Sequence, residues 1–215
     1  FQTATAELVL TDTAPKAEYQ KDTTGETESA MEMIAGLQLT YDEFRTLKSH
    51  VESRGKKFLS TAFDLPSVGF LHGLGLRLFK IPSGEITNLP YLRRVAEHAD
   101  DIILSTGMSS MDEVRAAVDA ITATGFSKDR MTVLQCNTAY PSPVDDANLL
   151  AMVTMGRELG VRYGYSDHTI GSSACLAAVA LGATVIEKHF TTDSTLPGPD
   201  QHASMEPDDF ADLVA

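Results

Sequence analysis

Positive charge is scarce in this chain. Lysine and arginine number 17 against 30 aspartates and glutamates in 215 residues, giving a net charge of −13 and a pI near 4.7. That balance argues against a nucleic-acid partner, because phosphate binding needs a basic face. An anionic ligand must be met by local cations against the overall field, and the acidity itself reads as a solubility feature. Cysteine is limited to Cys136 and Cys175, both in apolar runs. They read as buried thiols in a reducing, cytoplasmic compartment, not as a disulfide framework. Apolar runs of membrane-span length are missing, so no membrane partner is expected. Also missing is a G-x-G-x-x-G after any apolar strand, which argues against a dinucleotide fold.

What is present is ample apolar material, 43% of residues, enough for one large domain. The chain begins at Phe1, not at Met, and is read as part of a longer protein. Residues 1–10 look strand-like. Residues 11–36, rich in Thr, Glu and Lys, read as a long connection with a turn around Met31–Ile34. Thr40 with Glu43 forms a capping box ahead of Phe44, Leu47 and Val51 at helical spacing, and Gly55 stops that helix.

A strand–helix rhythm follows. Strands are expected at Lys57–Phe63, within Leu78–Glu85 and Asp101–Gly107 (each a strand running into a loop), at Met131–Cys136, before His168 and before His189. Helices are expected at 66–74, 89–96, after Ser110, at 149–159, from Ser173 to Gly182 and at 207–214. Such alternation implies a parallel sheet covered by helices. Counting the start, there are seven strands. The expected fold is an α/β (β/α)8 TIM barrel lacking its first strand and helix, with a doubly wound open sheet as the rival.

Polar residues follow strand after strand, as they do where barrel strand ends converge on one site. Gly164–Phe190 is the central unit. It reads as strand, small-residue helix and strand, with His168 and His189 each just past a β run. Parallel strands joined by a crossover helix end on one sheet edge, so the two imidazoles face one cleft and suit a divalent metal. The other reading has one histidine capping a helix and the other packed under a loop. Lys80, with hydroxyls and loop amides after neighbouring strands, makes a phosphate pocket.

Phe79–Glu85 (FKIPSGE), Leu104–Met108 (LSTGM), Gln135–Pro141 (QCNTAYP), Gly164–Thr169 (GYSDHT) and Glu187–Phe190 (EKHF) together resemble the N-acetylneuraminate (sialic acid) synthase family, which includes legionaminic and pseudaminic acid synthases. Gly198–Asp200 fits as well. The resemblance spans nearly the whole chain. It implies a transferase that condenses phosphoenolpyruvate with an open-chain N-acetylated mannose-type sugar to a nine-carbon 2-keto acid, releasing phosphate. His168 and His189 then correspond to ligands of Mn²⁺, with Mg²⁺ or Co²⁺ as substitutes. Lys80, Ser83, Thr61, Ser105 and Ser166 correspond to positions that hold phosphoenolpyruvate, while Gln2, Glu85, Tyr140 and Asp200 correspond to positions that meet the sugar. Asn137 or Thr138 reaches the phosphate. Catalytic work falls to Lys80 and to Glu85 or Asp200, one of which orients sugar hydroxyls or moves a proton.

By the same resemblance, residues 1–215 run from the second strand to the eighth helix of the catalytic barrel. A C-terminal antifreeze-like domain lies outside them, and the full-length protein is a homodimer. The 215 residues alone are expected to be inactive and poorly soluble. Another metal-dependent barrel aldolase or keto-acid-phosphate synthase is the alternative, but no second cationic cluster for a distal phosphate is visible. A non-catalytic sugar-binding barrel is a third reading, and it has no use for both histidines. Asp167 is read as a helix N-cap, and Glu187 and Lys188 as structural partners. His50, His72 and His98 read as surface or packing residues, and His202 as a loop residue within reach of the site.

Overall fold

The computed structural model describes residues 1–25 and 27–215. Its strands are β1 (Gln2–Thr3), β2 (Thr61–Ala62), β3 (Leu78–Ile81), β4 (Asp101–Ser105), β5 (Met131–Cys136), β6 (Arg162–Asp167) and β7 (Ile186–Lys188). All pair in parallel, β1 with β2 and then β3 to β7 in unbroken chain order. A doubly wound sheet reverses its order at a switch point, and this sheet does not. It curls, so that Phe1 and Gln2 at its first edge line the same cavity as His189 and Phe190 at its last. The described residues thus form a curled, singly wound parallel sheet in two ladders, not a closed barrel.

Short helices α1 (Ala6–Val9), α2 (Glu18–Thr24) and α3 (Ala30–Leu37) precede α4 (Tyr41–Ser53). Between strands lie α5 (Leu65–Gly73), α6 (Leu89–His98), α7 (Met111–Thr122), α8 (Leu149–Leu159) and α9 (Ser173–Ala180), and α10 (Pro207–Val214) comes last. Their inner faces build the core. Val114, Ala117, Val118 and Ile121 of α7, at helical spacing, are fully buried with Leu92 and Val95 of α6 against Phe79, Ile102 and Val133 of the sheet. Capping boxes at Thr40–Glu43 and Ser110–Glu113 start α4 and α7 as the sequence indicates. No helix among the described residues is long and apolar enough to cross a membrane.

Three expectations need correction. The strand expected over Lys57–Phe63 is only β2, Thr61–Ala62. The strand-like start shortens to two residues, because β2 offers only Thr61 and Ala62 as partners. Asp64 then binds Thr5 N–H at 2.9 Å and caps α5 through Ser67 N–H at 2.7 Å, tying this edge together. Residues 11–36 are not merely a connection, since they carry α2 and α3. Ser29 and Glu32 form a capping box for α3, and Lys16 is buried against Thr24, Gly25 and Glu28.

One glycine sets how closely β6 meets β7. A Cβ on Gly164 would lie 2.2 Å from the Val185 carbonyl oxygen and 2.8 Å from Leu134 Cδ2. Only a residue without a side chain allows that approach.

Candidate active site

A cavity of about 650 Å³ opens at the C-terminal ends of the strands. Lys80 projects into it from β3 with a side chain only 7% exposed. Ser105, at the end of β4, is buried, and its hydroxyl has no partner within the protein. Buried polar atoms are almost always paired, so this hydroxyl faces the cavity ready for a ligand. Ser83 also lines it, and its hydroxyl accepts from Gly107 N–H at 2.9 Å. Gln2, Thr61, Asn137, Thr138 and Ser166 complete the polar wall. All of these sequence-derived candidates therefore meet in one place.

The two imidazoles meet there as well. Their ring centres stand 5.4 Å apart at 65°. The His168 Nδ1–H donates to the Asn137 carbonyl at 2.8 Å, which fixes the tautomer and leaves Nε2 as a free lone pair. Burial, with His189 nearby, pushes the His168 pKa down to about 4, so the ring is neutral at physiological pH. An ion about 2.1 Å from one nitrogen of each ring allows ring centres up to roughly 6.5 Å apart. The pair thus fits a divalent ion. Among the described residues no third His, Cys, Asp or Glu joins it in a closed cage.

Tyr140 packs on both rings, 4.0 Å from His168 and 5.5 Å from His189. Asp200 stands behind His189, with Oδ2 at 3.8 Å from Nδ1. Burial raises the Asp200 carboxyl pKa, and the neighbouring His189 offsets part of that rise. Its Oδ1 is buried without a partner. Neither Asp200 nor Glu85 lines the cavity wall; Asp200 touches it through His189, whereas Glu85 accepts from the Asn88 side chain at 2.6 Å. His202 is exposed, and His72 and His98 stack on each other at 4.1 Å on the outer helices.

Glu187, read from the sequence as a structural partner, and Tyr19, which sequence reading missed, both belong here. Glu187 lines the cavity, accepting from Ser166 at 2.7 Å and pairing with Lys80 at 3.2 Å. Burial works against its charge, but Lys80 and Ser166 hold its carboxyl below the usual range. The signal was available, because Glu187 lies two residues before His189 and strand side chains alternate. Tyr19 of α2 stacks on Tyr140 at 5.2 Å. Nothing in its local pattern announced that, since the contact spans over a hundred residues. Asp167 is also corrected. The N-cap of α9 is Ser172, and Asp167 instead lies fully buried at the end of β6.

A cavity of this kind, at the strand ends of a curled parallel sheet, lies where α/β proteins built this way bring their βα loops together. The chain belongs to the NeuB family, whose family model matches residues 1–215. It is 46% identical over 210 residues to the N,N′-diacetyllegionaminic acid synthase of Campylobacter jejuni, covering 98% of this chain and 63% of that protein. To the N,N′-diacetyllegionaminic acid synthase of Legionella pneumophila it is 44% identical over 216 residues, covering 100% of this chain and 61% of that one. The chain thus spans somewhat under two thirds of these relatives. Its fold superposes on the N-acetylneuraminic acid (sialic acid) synthetase of Leptospira borgpetersenii with a TM-score of 0.82 at 34% identity, covering 91% of this chain and 68% of that one.

Proposed function

We propose that the full-length protein condenses phosphoenolpyruvate with an N-acetylated mannose-type sugar aldehyde to a nine-carbon 2-keto acid, releasing phosphate. The observation that carries this reading is one cavity holding Lys80, the unpartnered Ser105 hydroxyl and two imidazoles 5.4 Å apart. Two relatives are named N,N′-diacetyllegionaminic acid synthases. We therefore place a 2,4-diacetamido-trideoxy sugar ahead of N-acetylmannosamine as the acceptor.

His168 and His189 would hold a divalent ion, Mn²⁺ first and Mg²⁺ or Co²⁺ as substitutes. When bound, it polarises the aldehyde oxygen as a Lewis acid. Lys80 meets the phosphate or carboxylate of phosphoenolpyruvate with a charge-assisted bond, and Ser105, Ser83 and Ser166 donate or accept around it. Glu187 holds the Lys80 ammonium in the cavity until that anion arrives. Bond formation leaves positive charge on the former enol carbon, where water adds before phosphate departs. Asp200, whose buried carboxyl stands 3.8 Å from His189 with its Oδ1 unpartnered, is assigned to orient a sugar hydroxyl or take the proton that the added water loses. Glu85, bonded to Asn88 away from the cavity, is the weaker choice. Thr61, Asn137 and Thr138 line the anion side, and Gln2 and Tyr140 the sugar side.

We further propose that these strands belong to a closed eight-stranded barrel, that the protein works as a cytoplasmic homodimer, and that an antifreeze-like domain lies outside residues 1–215. The test is phosphate release by the full-length protein with phosphoenolpyruvate, Mn²⁺ and each sugar in turn. Release that requires both the sugar and the ion, and that His168→Ala abolishes, is the expected result. A folded protein that releases no phosphate with any N-acetylated mannose-type sugar overturns the reading.

A further inference from the structure

Three successive residue pairs mark the end of the β6–β7 seam. Ser166 pairs in register with Glu187, and Asp167 with Lys188. One residue beyond stand His168 and His189. Side chains alternate along a strand. Ser166 and Glu187 bond to each other at the cavity, and the two imidazoles face it again. In the middle rung Asp167 points the other way, beneath α9, where it accepts from the Cys175 thiol at 3.1 Å, while Lys188 borders the cavity and reaches back to Asp167.

That middle rung is a buried ion pair. Lys188 Nζ donates to Asp167 Oδ2 at 2.7 Å, with side chains 2% and 0% exposed. The pair also grips Thr169 at both backbone groups: Asp167 Oδ1 accepts from Thr169 N–H at 2.9 Å, and Lys188 Nζ donates to Thr169 O at 2.5 Å. His168 is therefore clamped between two fixed neighbours, and the same lysine immediately precedes His189. A buried pair of this kind gives little net stability, since an apolar pair of equal volume does as well or better. What an apolar pair cannot do is fix the backbone of Thr169 and the distance between the two strand ends.

We infer that Asp167 and Lys188 are positioning residues that set the interval between the His168 and His189 rings. This rests on the reading that those rings hold the catalytic ion. The test compares the full-length protein with the double variant Asp167→Leu/Lys188→Met. The measurements are the thermal midpoint, Mn²⁺ affinity by electron paramagnetic resonance of free Mn²⁺, and the ring separation in crystals of the variant. The expected result is a midpoint within a few degrees of the parent, Mn²⁺ binding weaker by about 10- to 100-fold, and rings displaced from their 5.4 Å separation. A folded double variant with parental Mn²⁺ affinity and ring spacing overturns the inference. If the double variant does not fold, Asp167→Asn decides. It keeps the size of the side chain and an acceptor for Thr169, and unchanged affinity and spacing there overturn the inference equally. If the unmodified protein binds no Mn²⁺, the metal reading fails by itself, and ring spacing in the variant crystals still judges the positioning role.

Discussion

Gly164→Ala is the sharpest test of how β6 meets β7. The new methyl would sit 2.2 Å from the Val185 carbonyl oxygen, whereas non-bonded heavy atoms rest at roughly 3.5 Å. The strands must then part locally by about 1 Å. That oxygen cannot turn aside freely, because it accepts from Tyr165 N–H at 3.0 Å, while Thr184 N–H donates to Tyr163 O at 2.9 Å on the same seam. Losing or stretching two such bonds costs about 2 kcal/mol, at roughly 1 kcal/mol each. Crowding of Leu134 Cδ2, at 2.8 Å, adds on the order of 1 kcal/mol of overpacking. A total of about 3 kcal/mol lowers the thermal midpoint of a domain this size by roughly 6–12 °C. Circular dichroism melting of the full-length protein measures it, and Mn²⁺ binding should weaken in parallel because the strands that part carry the imidazoles. A midpoint within 2 °C of the parent, with Mn²⁺ affinity intact, would refute the reasoning.

Ser105→Ala removes a hydroxyl that no protein group uses. Stability should move by under about 0.5 kcal/mol, while the KM for phosphoenolpyruvate rises by about tenfold, the worth of one charge-assisted bond; steady-state kinetics beside a melt separates the two. Tyr19→Ala unstacks the ring that covers Tyr140 and should raise the KM for the sugar more than that for phosphoenolpyruvate, by several-fold. Glu113 is held below its ordinary pKa by Ser110 N–H and hydroxyl. A depressed folded-state pKa gives stability that is present above pH 4.5 and lost as pH falls through the lower folded value. The stability gap between the parent and Glu113→Gln should therefore narrow on acidification below pH 4.5, as pH-dependent chemical denaturation can check.

Much of this molecule announces itself locally. Thr40–Glu43 and Ser110–Glu113 carry a helix start in four residues, and α8 ends where Gly160 adopts a positive φ of 66°. The polar runs after β3 to β7 declare the cavity, since a parallel sheet in chain order must bring them to one edge. What escaped depends on distant contacts. The α2 helix buries none of its own residues, so its sequence lacks the apolar stripe that marks a helix, and Tyr19 takes its place by stacking on Tyr140, far along the chain. Asp167 has the sequence look of a cap because acids before helices usually are caps. Its partner Lys188 lies a whole βα unit away, and only the ladder register reveals the pair.

The winding of the sheet has one further consequence. Anion-facing groups arrive on β3, β4 and β6, whereas Tyr19, Tyr140 and Asp200 come from loops and a short helix laid over the rim. Under the proposed chemistry, separate segments would govern its two halves: altering the overlying pieces would change which acceptor is taken, while the strands beneath kept their hold on the anion.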